Sequence, residues 1–156
     1  EERGGATGAD QYVKDAEKKP IDYVNPMDGA DIKYSHSAVS TITIAWEPGA
    51  ENFERNLERI ITQKWIANFP NGMESWTEYR RTGYPKLFPN RVNLSNGDIN
   101  TNEQVRRLIY SDTEINTNNA ELQKGIELLN QENTGSISGD KGGTHVWWDK
   151  AGVGNF

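Results

Sequence analysis

Residues that commonly carry out enzyme chemistry are sparse in this chain. The only histidines, His36 and His145, lie outside the HExxH and HxE spacings of catalytic zinc sites. The chain has no cysteine, which excludes thiolate nucleophiles, thiolate metal sites and disulfides. The sequence Gly-Ser-Ile-Ser-Gly at 135–139 has isoleucine where a serine nucleophile elbow requires serine. Paired carboxylates remain possible, because folding can bring together any of the 23 acidic residues. We predict no catalytic residue.

An asparagine-rich run resembles a metal-binding loop in its residue types. Residues 96–102 alternate Asn or Asp with other residues, as at the start of a calcium loop of the EF-hand type. Glu103 stands where that loop requires glycine, and Ile109 stands where it requires a bidentate glutamate. An Asn-rich turn is therefore the favoured interpretation. We predict no metal ligand and no cofactor, with a bound calcium ion as the alternative.

Aromatic residues are the second group whose chemistry suggests a function. The chain has 5 Trp, 6 Tyr and 4 Phe, and aromatic faces accompanied by amides and carboxylates are the groups that hold sugar rings. Trp65 and Trp76 lie on predicted helix stripes and are expected in the core. Aromatic residues on loops are better candidates for ligand contact. The candidate ligand-binding residues are Trp46, Tyr34, Tyr23 and Trp148.

Composition limits the classes of partner. With 156 residues the chain is long enough for one domain, and its net charge of −6 disfavours nucleic acid. Hydrophobic residues make up 34%, so long surface loops are expected around a modest core. No apolar run approaches the roughly 20 residues that span a bilayer.

The strongest helical pattern covers residues 49–69. Its apolar side chains recur at helical spacing and predict a buried stripe of Phe53, Leu57, Ile60, Ile61 and Trp65. Asn71-Gly72 then predicts a turn into a second helix that ends near Gly83. These two helices would form a helical hairpin.

Weaker patterns predict the remaining elements. Residues 9–19 have the composition of a short helix, and 40–46 alternate as in a strand or an extended segment laid over helices. Capping-box spacings predict two further helices, one over 101–109 and one over 118–129. The Gly, Ser and Asn density of 131–143 predicts irregular structure.

Four blocks of sequence resemble, in order and spacing, the carboxy-terminal signature of the SusD/RagB family. They cover residues 59–67, 69–85, 106–116 and 144–149, with sequences such as Gln-Lys-Trp-Ile-Ala and Glu-Tyr-Arg-Arg-Thr-Gly-Tyr-Pro. The residues that we assign to this structural signature are Gln63, Trp65, Trp76, Tyr79, Arg80, Arg81, Gly83, Tyr84, Pro85, Trp147, Trp148 and Asp149.

The resemblance implies a fold and a location. Proteins of this family are mostly helical, with tetratricopeptide-like helix pairs, long irregular loops and, in this part, one or two short strands. They are lipoproteins at the cell surface of the Gram-negative outer membrane. The family is longer than this chain, so we expect 1–156 to be a single carboxy-terminal portion, matched best over 51–150 and least over the loop-rich 1–48. The lipid anchor would lie upstream.

The resemblance also implies a function without catalysis. Such proteins bind oligosaccharides, or peptides in some branches, and deliver them to a TonB-dependent, SusC-like transporter. One alternative is a protein-docking module of that uptake complex without its own ligand site. A second alternative is a carbohydrate-active hydrolase, which would need two carboxylates of different pKa facing one cleft.

Overall fold

The computed structural model describes residues 8–29 and 34–149. Its helices are α1 (Ala9–Tyr12), α2 (Phe53–Ala67), α3 (Gly72–Thr82), α4 (Asp112–Thr117) and α5 (Asn119–Glu132), with a 3-10 turn over Ala50–Asn52. The described residues contain no β-strand and only two isolated bridges, Tyr23 with His36 and Asn100 with Gln104. The prediction of a mostly helical fold with long irregular segments is confirmed.

The chain divides into two compact units. The first unit combines Glu1–Tyr79 with Tyr84–Phe88, and the second combines Arg80–Gly83 with Pro89–Phe156. In the part of the chain that the structure describes, no helix is both long enough and apolar enough to cross a membrane.

The first helix is shorter than the predicted 9–19, because a turn at Asp15 replaces helical hydrogen bonds. The Asp15 carboxylate accepts hydrogen bonds from the backbone N–H groups of Lys18 at 2.8 Å and Glu17 at 3.0 Å. These bonds lower the pKa of Asp15 to about 2. Local side-chain bonds of this kind compete with helix formation, so α1 ends at Tyr12.

In α2 the buried face is more polar than the predicted stripe. Ile61 is buried, whereas Phe53 and Ile60 are each 52% exposed, so the prediction of a continuous buried apolar stripe is wrong. The buried positions of α2 also include Asn56, Glu58 and Arg59. Polar groups are buried where they are hydrogen-bonded, and these side chains bind the preceding segment of the chain.

Residues 40–47 form an extended segment over α2 and not a strand. Ser40 donates from its hydroxyl to Glu58 at 2.5 Å, and Arg59 donates from Nε to the Thr43 carbonyl at 2.7 Å. The Asn56 side chain accepts from the Glu47 N–H and donates to the Glu47 carbonyl. Side chains of α2 thus satisfy backbone groups that a neighbouring strand would otherwise satisfy.

The two consecutive helices α2 and α3, joined by a turn over 68–71, form as predicted. Asn71 accepts from the Glu74 N–H at the start of α3, and Gly83, with φ of 73°, follows its end. Lys64 of α2 pairs with Glu74 at 2.8 Å and with Glu78 at 3.1 Å. Tyr79 of α3 is buried.

The second unit departs from prediction at residues 101–111, which are not helical. Arg106 and Arg107 both donate from their backbone N–H groups to the Gly142 carbonyl, at 2.8 and 3.2 Å. Val105, Leu108 and Ile109 are exposed, so the expected apolar stripe of a helix is not buried here. The helix predicted over 118–129 is present as α5, preceded by the unpredicted α4.

The irregular structure predicted over 131–143 begins at 133, because α5 extends to Glu132. The irregular segment continues to 149 and is held by many hydrogen bonds. The Asn133 side chain donates to the Ile137 carbonyl at 2.8 Å and accepts from the His145 N–H at 3.1 Å. Asn130 accepts from the Gly139 N–H at 2.7 Å. Side chains here bind the backbone groups that a helix or sheet would otherwise pair with one another. Composition alone therefore predicts an irregular segment but not the bonds that hold it in one conformation.

Candidate ligand-binding surface

A paired loop in the first unit positions two of the four aromatic candidates. Tyr23 and His36 exchange backbone hydrogen bonds of 2.8 and 2.9 Å, which bring the two ends of the intervening loop together. Asp22 adds a further tie by accepting from the Ala38 N–H at 2.8 Å. A single antiparallel bridge therefore sets the direction of the Tyr23 and His36 side chains.

Inside this loop, Asp28 serves as the acceptor for its return half. Its carboxylate accepts from the Ser35 N–H at 2.7 Å, the Ser35 hydroxyl at 2.6 Å and the Tyr34 N–H at 3.1 Å. Ser35 in turn accepts from the Asn25 N–H at 2.9 Å. The backbone at Tyr34 is thus fixed while its side chain stays 49% exposed.

Three rings meet beside the bridge. Phe88 lies 5.3 Å from the His36 ring at 24° and 6.2 Å from the Tyr23 ring at 39°, measured between centroids. Tyr23 is 46% exposed and Phe88 is 38% exposed, while His36 is half-buried. We call Tyr23, His36 and Phe88 the aromatic cluster. The exposed parts of the Tyr23 and Phe88 rings can pack against the apolar face of a sugar ring. Asp22 and the Tyr23 hydroxyl supply hydrogen-bonding groups close in sequence.

The other candidate of the first unit lies apart from the aromatic cluster. Trp46 ends the extended segment, where its N–H donates to the Val13 carbonyl at 3.4 Å, and its side chain is 56% exposed. Within 8–29 and 34–149, Trp46 makes no ring contact with the aromatic cluster. Tyr23, Tyr34 and Trp46, which the sequence proposed as ligand contacts, are all partly exposed. The sequence did not predict which rings meet.

The fourth candidate, Trp148, belongs to a buried polar network in the second unit. Arg106 binds the Asp149 carboxylate through two nitrogens, Nε at 2.8 Å and Nη2 in a close ion pair. His145 Nδ1 lies 2.8 Å from the Asp149 carbonyl, and its Nε2 lies 3.3 Å from Glu103 Oε2. We call Glu103, Arg106, His145 and Asp149 the polar network. Asp149 is 0% exposed and His145 is 2% exposed.

Arg80 extends the polar network to Trp148. It donates to the Arg106 carbonyl at 2.9 Å, and its guanidinium carbon lies 4.8 Å from the centre of the Trp148 ring. Trp148 is half-buried, whereas its neighbour Trp147 is 66% exposed. Adjacent residues on an extended segment face opposite ways, and here the covered ring is Trp148.

The charges of the polar network are interdependent. Burial alone would raise the pKa of Asp149, but hydrogen bonds from His145 and Arg106 outweigh it and lower that pKa. The hydrogen bond to Asp149 likewise raises the pKa of His145 against the effect of burial. Removing one partner of the buried Arg106–Asp149 pair would leave the other charge uncompensated, so we assign this pair a structural role.

Several signature residues have structural contacts. Gln63 donates to the Tyr12 hydroxyl at 2.9 Å, and Tyr84 donates to Glu54 at 3.1 Å. Burial, reinforced by Glu54, raises the pKa of Tyr84 to about 12. Pro85 is buried, and Trp65, Trp76 and Arg81 are half-buried.

Sequence reasoning missed His36 and Phe88 in the aromatic cluster, and it missed Glu103 in the polar network. Phe88 lies more than fifty residues from His36, and no local spacing links the two. The only sequence signal for the polar network was that Arg106 and His145 lie in two of the blocks, 106–116 and 144–149, that resemble the SusD/RagB signature. Over the described ranges, no group of three or more His, Cys, Asp or Glu residues could hold a metal ion.

The family described as SusD-like, SusD and RagB outer membrane lipoprotein, matches residues 1–149. The chain belongs to the SusD-like family. The match extends the resemblance across the amino-terminal third, which the sequence blocks covered least. No curated protein sequence is significantly similar to the chain.

Solved structures of SusD homologues agree with this assignment. A homologue from Bacteroides thetaiotaomicron is 45% identical with a TM-score of 0.82 over 96% of this chain, and one from Bacteroides ovatus is 52% identical with a TM-score of 0.67 over 74%. A chitin-binding SusD homologue from Flavobacterium johnsoniae is 42% identical with a TM-score of 0.76 over 96%. This SusD-like chain spans 30%, 23% and 28% of those three proteins, respectively.

Proposed function

We propose that this chain is the carboxy-terminal part of a SusD-like protein that captures oligosaccharides at the cell surface and passes them to a SusC-like, TonB-dependent transporter. It would act by binding, without catalysis. The observation that carries the ligand-binding part is the aromatic cluster. Its partly exposed Tyr23 ring is held by the backbone pairing of Tyr23 with His36, and the partly exposed Phe88 ring packs beside that pair. A fixed platform loses little conformational freedom when it binds a ligand.

Two observations favour an oligosaccharide over a peptide at the aromatic cluster. Adjacent ring faces suit the flat apolar faces of pyranose sugars. In addition, one 42% identical homologue is described as chitin-binding. We therefore select chitooligosaccharides as the first probe, followed by other neutral glycans.

Glycan titration of the full-length protein encoded by the reading frame of this chain would test the proposal. Phe88→Ala removes the ring that contacts both others, and we expect it to weaken binding about three- to tenfold. Phe69→Ala is the matched control, because Phe69 is 88% exposed in the same unit and lies outside the aromatic cluster. Equal affinity of the Phe88→Ala variant and the parent protein for every bound glycan would contradict the proposal.

A docking role is the second candidate, favoured by apolar exposure near the turn between α2 and α3. Ile66, Phe69 and Met73 are 61%, 88% and 66% exposed. Large exposed apolar patches are typical of protein interfaces. If this surface contacts the transporter, Phe69→Ala will reduce co-purification of the two proteins while glycan affinity is kept. Loss of glycan affinity with unchanged co-purification would contradict the docking role.

A further inference from the structure

A second surface feature of the first unit is a cavity of about 190 Å³ beside α2. Pro20, Ile42 and Ile44 provide its apolar lining, and Thr62, Gln63 and Lys19 lie among the polar residues that line it. None of its lining residues belongs to the aromatic cluster. The cavity is larger than the roughly 150 Å³ that suffices to hold benzene in an engineered protein core, so it can take one mid-sized side chain.

The cations around this cavity differ in their availability. Arg59 is buried, and its charge is matched by Glu47 at 3.0 Å. Hydrogen bonds from Arg55 and Arg59 lower the pKa of Glu47 to about 2, which keeps this carboxylate charged. Lys18 pairs with Asp15 at 3.1 Å. Lys19 is exposed and has no hydrogen bond or ion pair within the described ranges, so its ammonium group is open to a ligand.

The neutral polar groups also have spare bonding capacity. Gln63 uses its Nε2 on the Tyr12 hydroxyl, and its Oε1 is unpaired within the described residues. The half-buried Thr62 hydroxyl is likewise unpaired there. The cavity therefore combines an aliphatic interior with an amide acceptor, a hydroxyl and one free cation.

We infer that this cavity binds the carboxy-terminal residue of a peptide with an aliphatic side chain. The side chain would fill the apolar interior, the terminal carboxylate would pair with Lys19, and the terminal peptide N–H would donate to Gln63 Oε1. A sugar fits less well, because aliphatic walls leave its hydroxyl groups without partners. The inference goes beyond the proposed glycan binding and does not depend on it.

Methyl-detected NMR titration of the full-length protein, isotope-labelled at isoleucine, would test the inference. The probes are acetyl-Gly-Gly-Leu with a free carboxylate, its carboxamide, acetyl-Gly-Gly-Gly and 4-methylpentanoate. We expect the leucine peptide to shift the Ile42 and Ile44 methyl signals and to bind about tenfold or more tightly than the glycine peptide. The carboxamide should bind about two- to fivefold more weakly than the acid, as for an exposed ion pair.

Variants locate the site on the cavity. Lys19→Gln should abolish the preference for acid over carboxamide, whereas Lys14→Gln, a nearby exposed lysine outside the cavity lining, should keep it. Thr62→Phe should fill the cavity and abolish binding. Thr62→Phe alters α2 and could also disturb folding. Lys19→Gln changes an exposed side chain, and a folding defect would not selectively remove the preference for acid over carboxamide.

Three outcomes would overturn the inference. The first is equal binding of leucine and glycine peptides, and the second is an unchanged acid preference in the Lys19→Gln variant. The third is binding of 4-methylpentanoate as tightly as the leucine peptide, because the peptide backbone would then contribute nothing. Phe88→Ala should leave peptide binding unchanged, so failure of this inference and failure of the proposed glycan site can be told apart.

Discussion

The polar network and the aromatic cluster use similar numbers of side chains for opposite purposes. Asp149 and His145 are 0% and 2% exposed and satisfy each other. Tyr23 and Phe88 are 46% and 38% exposed. In the aromatic cluster it is the backbone groups of Tyr23 and His36 that hydrogen-bond to each other. The charged residues, which would first be suspected of chemistry, are thus bound to one another, whereas the neutral rings are partly exposed and are the ones we propose for ligand contact.

This contrast has a physical basis. A charge that is removed from water requires a partner, so buried charges are bound by one another and cannot also bind a ligand. Partly exposed rings keep a face free without a large loss in stability. Substitutions in the polar network should therefore change the free energy of unfolding, and substitutions in the aromatic cluster should change the free energy of binding.

The largest effect should follow from Asp149→Ala. This change leaves the Arg106 guanidinium buried with its main partner removed, and we expect unfolding to become easier by about 3–5 kcal/mol. Urea denaturation of the full-length protein measures this. Glu127→Ala, on the exposed face of α5, is the control and should change stability by less than about 0.5 kcal/mol. Similar midpoints for both variants would contradict a structural role for the polar network.

A smaller effect is expected from crowding the polar network. A methyl group added at Gly135 would collide with the buried His145 ring, so Gly135→Ala should destabilise the protein by about 1–3 kcal/mol. Gly72→Ala is the matched change in the first unit, since the added group meets no atom within 4 Å beyond its chain neighbours and the backbone of its own helix. Thermal unfolding compares the two. If Gly135→Ala is as stable as the parent protein, His145 is not held as described.

The aromatic cluster should respond in binding and not in stability. We expect Tyr23→Ala to weaken glycan binding about two- to tenfold, because one ring contact of about 0.5–1.5 kcal/mol is lost. Tyr23→Phe, which keeps the ring, should retain most of the affinity. Calorimetric titration together with unfolding measurements separates the two effects. A Tyr23→Ala variant that loses stability but no affinity would place Tyr23 in the fold.

The smallest expected effect is a pH dependence of stability that comes from His145 and Asp149 of the polar network. The raised pKa of His145 stabilises the fold fully below its ordinary value of 6.5, and this contribution is lost as the pH rises through the higher folded pKa. The lowered pKa of Asp149 stabilises the fold above its ordinary value of 3.8 and is lost as the pH falls through the lower folded pKa. Their combined contribution is therefore greatest between about pH 4 and 6.5.

Denaturation at several pH values with a histidine variant would check this. His145→Gln should remove the decline in stability above pH 6.5 that the imidazole causes, whatever its effect on overall stability. His36→Gln is the control, because no carboxylate of the described residues hydrogen-bonds to that imidazole. An identical decline in the parent protein and the His145→Gln variant would show that His145 does not titrate as inferred.

The sequence predicted the parts of this fold that depend on local periodicity and capping. It predicted α2, α3 and α5 because their apolar spacing and their terminal Asn or Gly residues are local signals. It failed at 101–109, where the capping-box spacing is present but Arg106 is buried against Asp149, forty-three residues away. Such long-range pairing overrides local propensity and leaves no periodic pattern in the sequence.

The candidate surface was less predictable than the fold. Loop position favoured Tyr23 and Trp46 as candidates for ligand contact, but the meeting of Tyr23 with Phe88 depends on how distant segments pack. Likewise, the alternation over 40–46 left open a strand or an extended segment laid over helices. The extended segment is present, because Asn56 and Arg59 of α2 bind its backbone. Alternation shows which residues share a face and does not show what covers that face.

Hydrogen–deuterium exchange of the full-length protein, with and without a saturating bound glycan, tests the central contrast most directly. We predict that the ligand slows exchange in the loop of the aromatic cluster, residues 21–38, where Tyr23 and His36 exchange backbone hydrogen bonds. Exchange over 103–107 and 144–149 should not change, because Arg106, His145 and Asp149 are already buried and bound to one another. Protection of 144–149 with none at 21–38 would contradict the account.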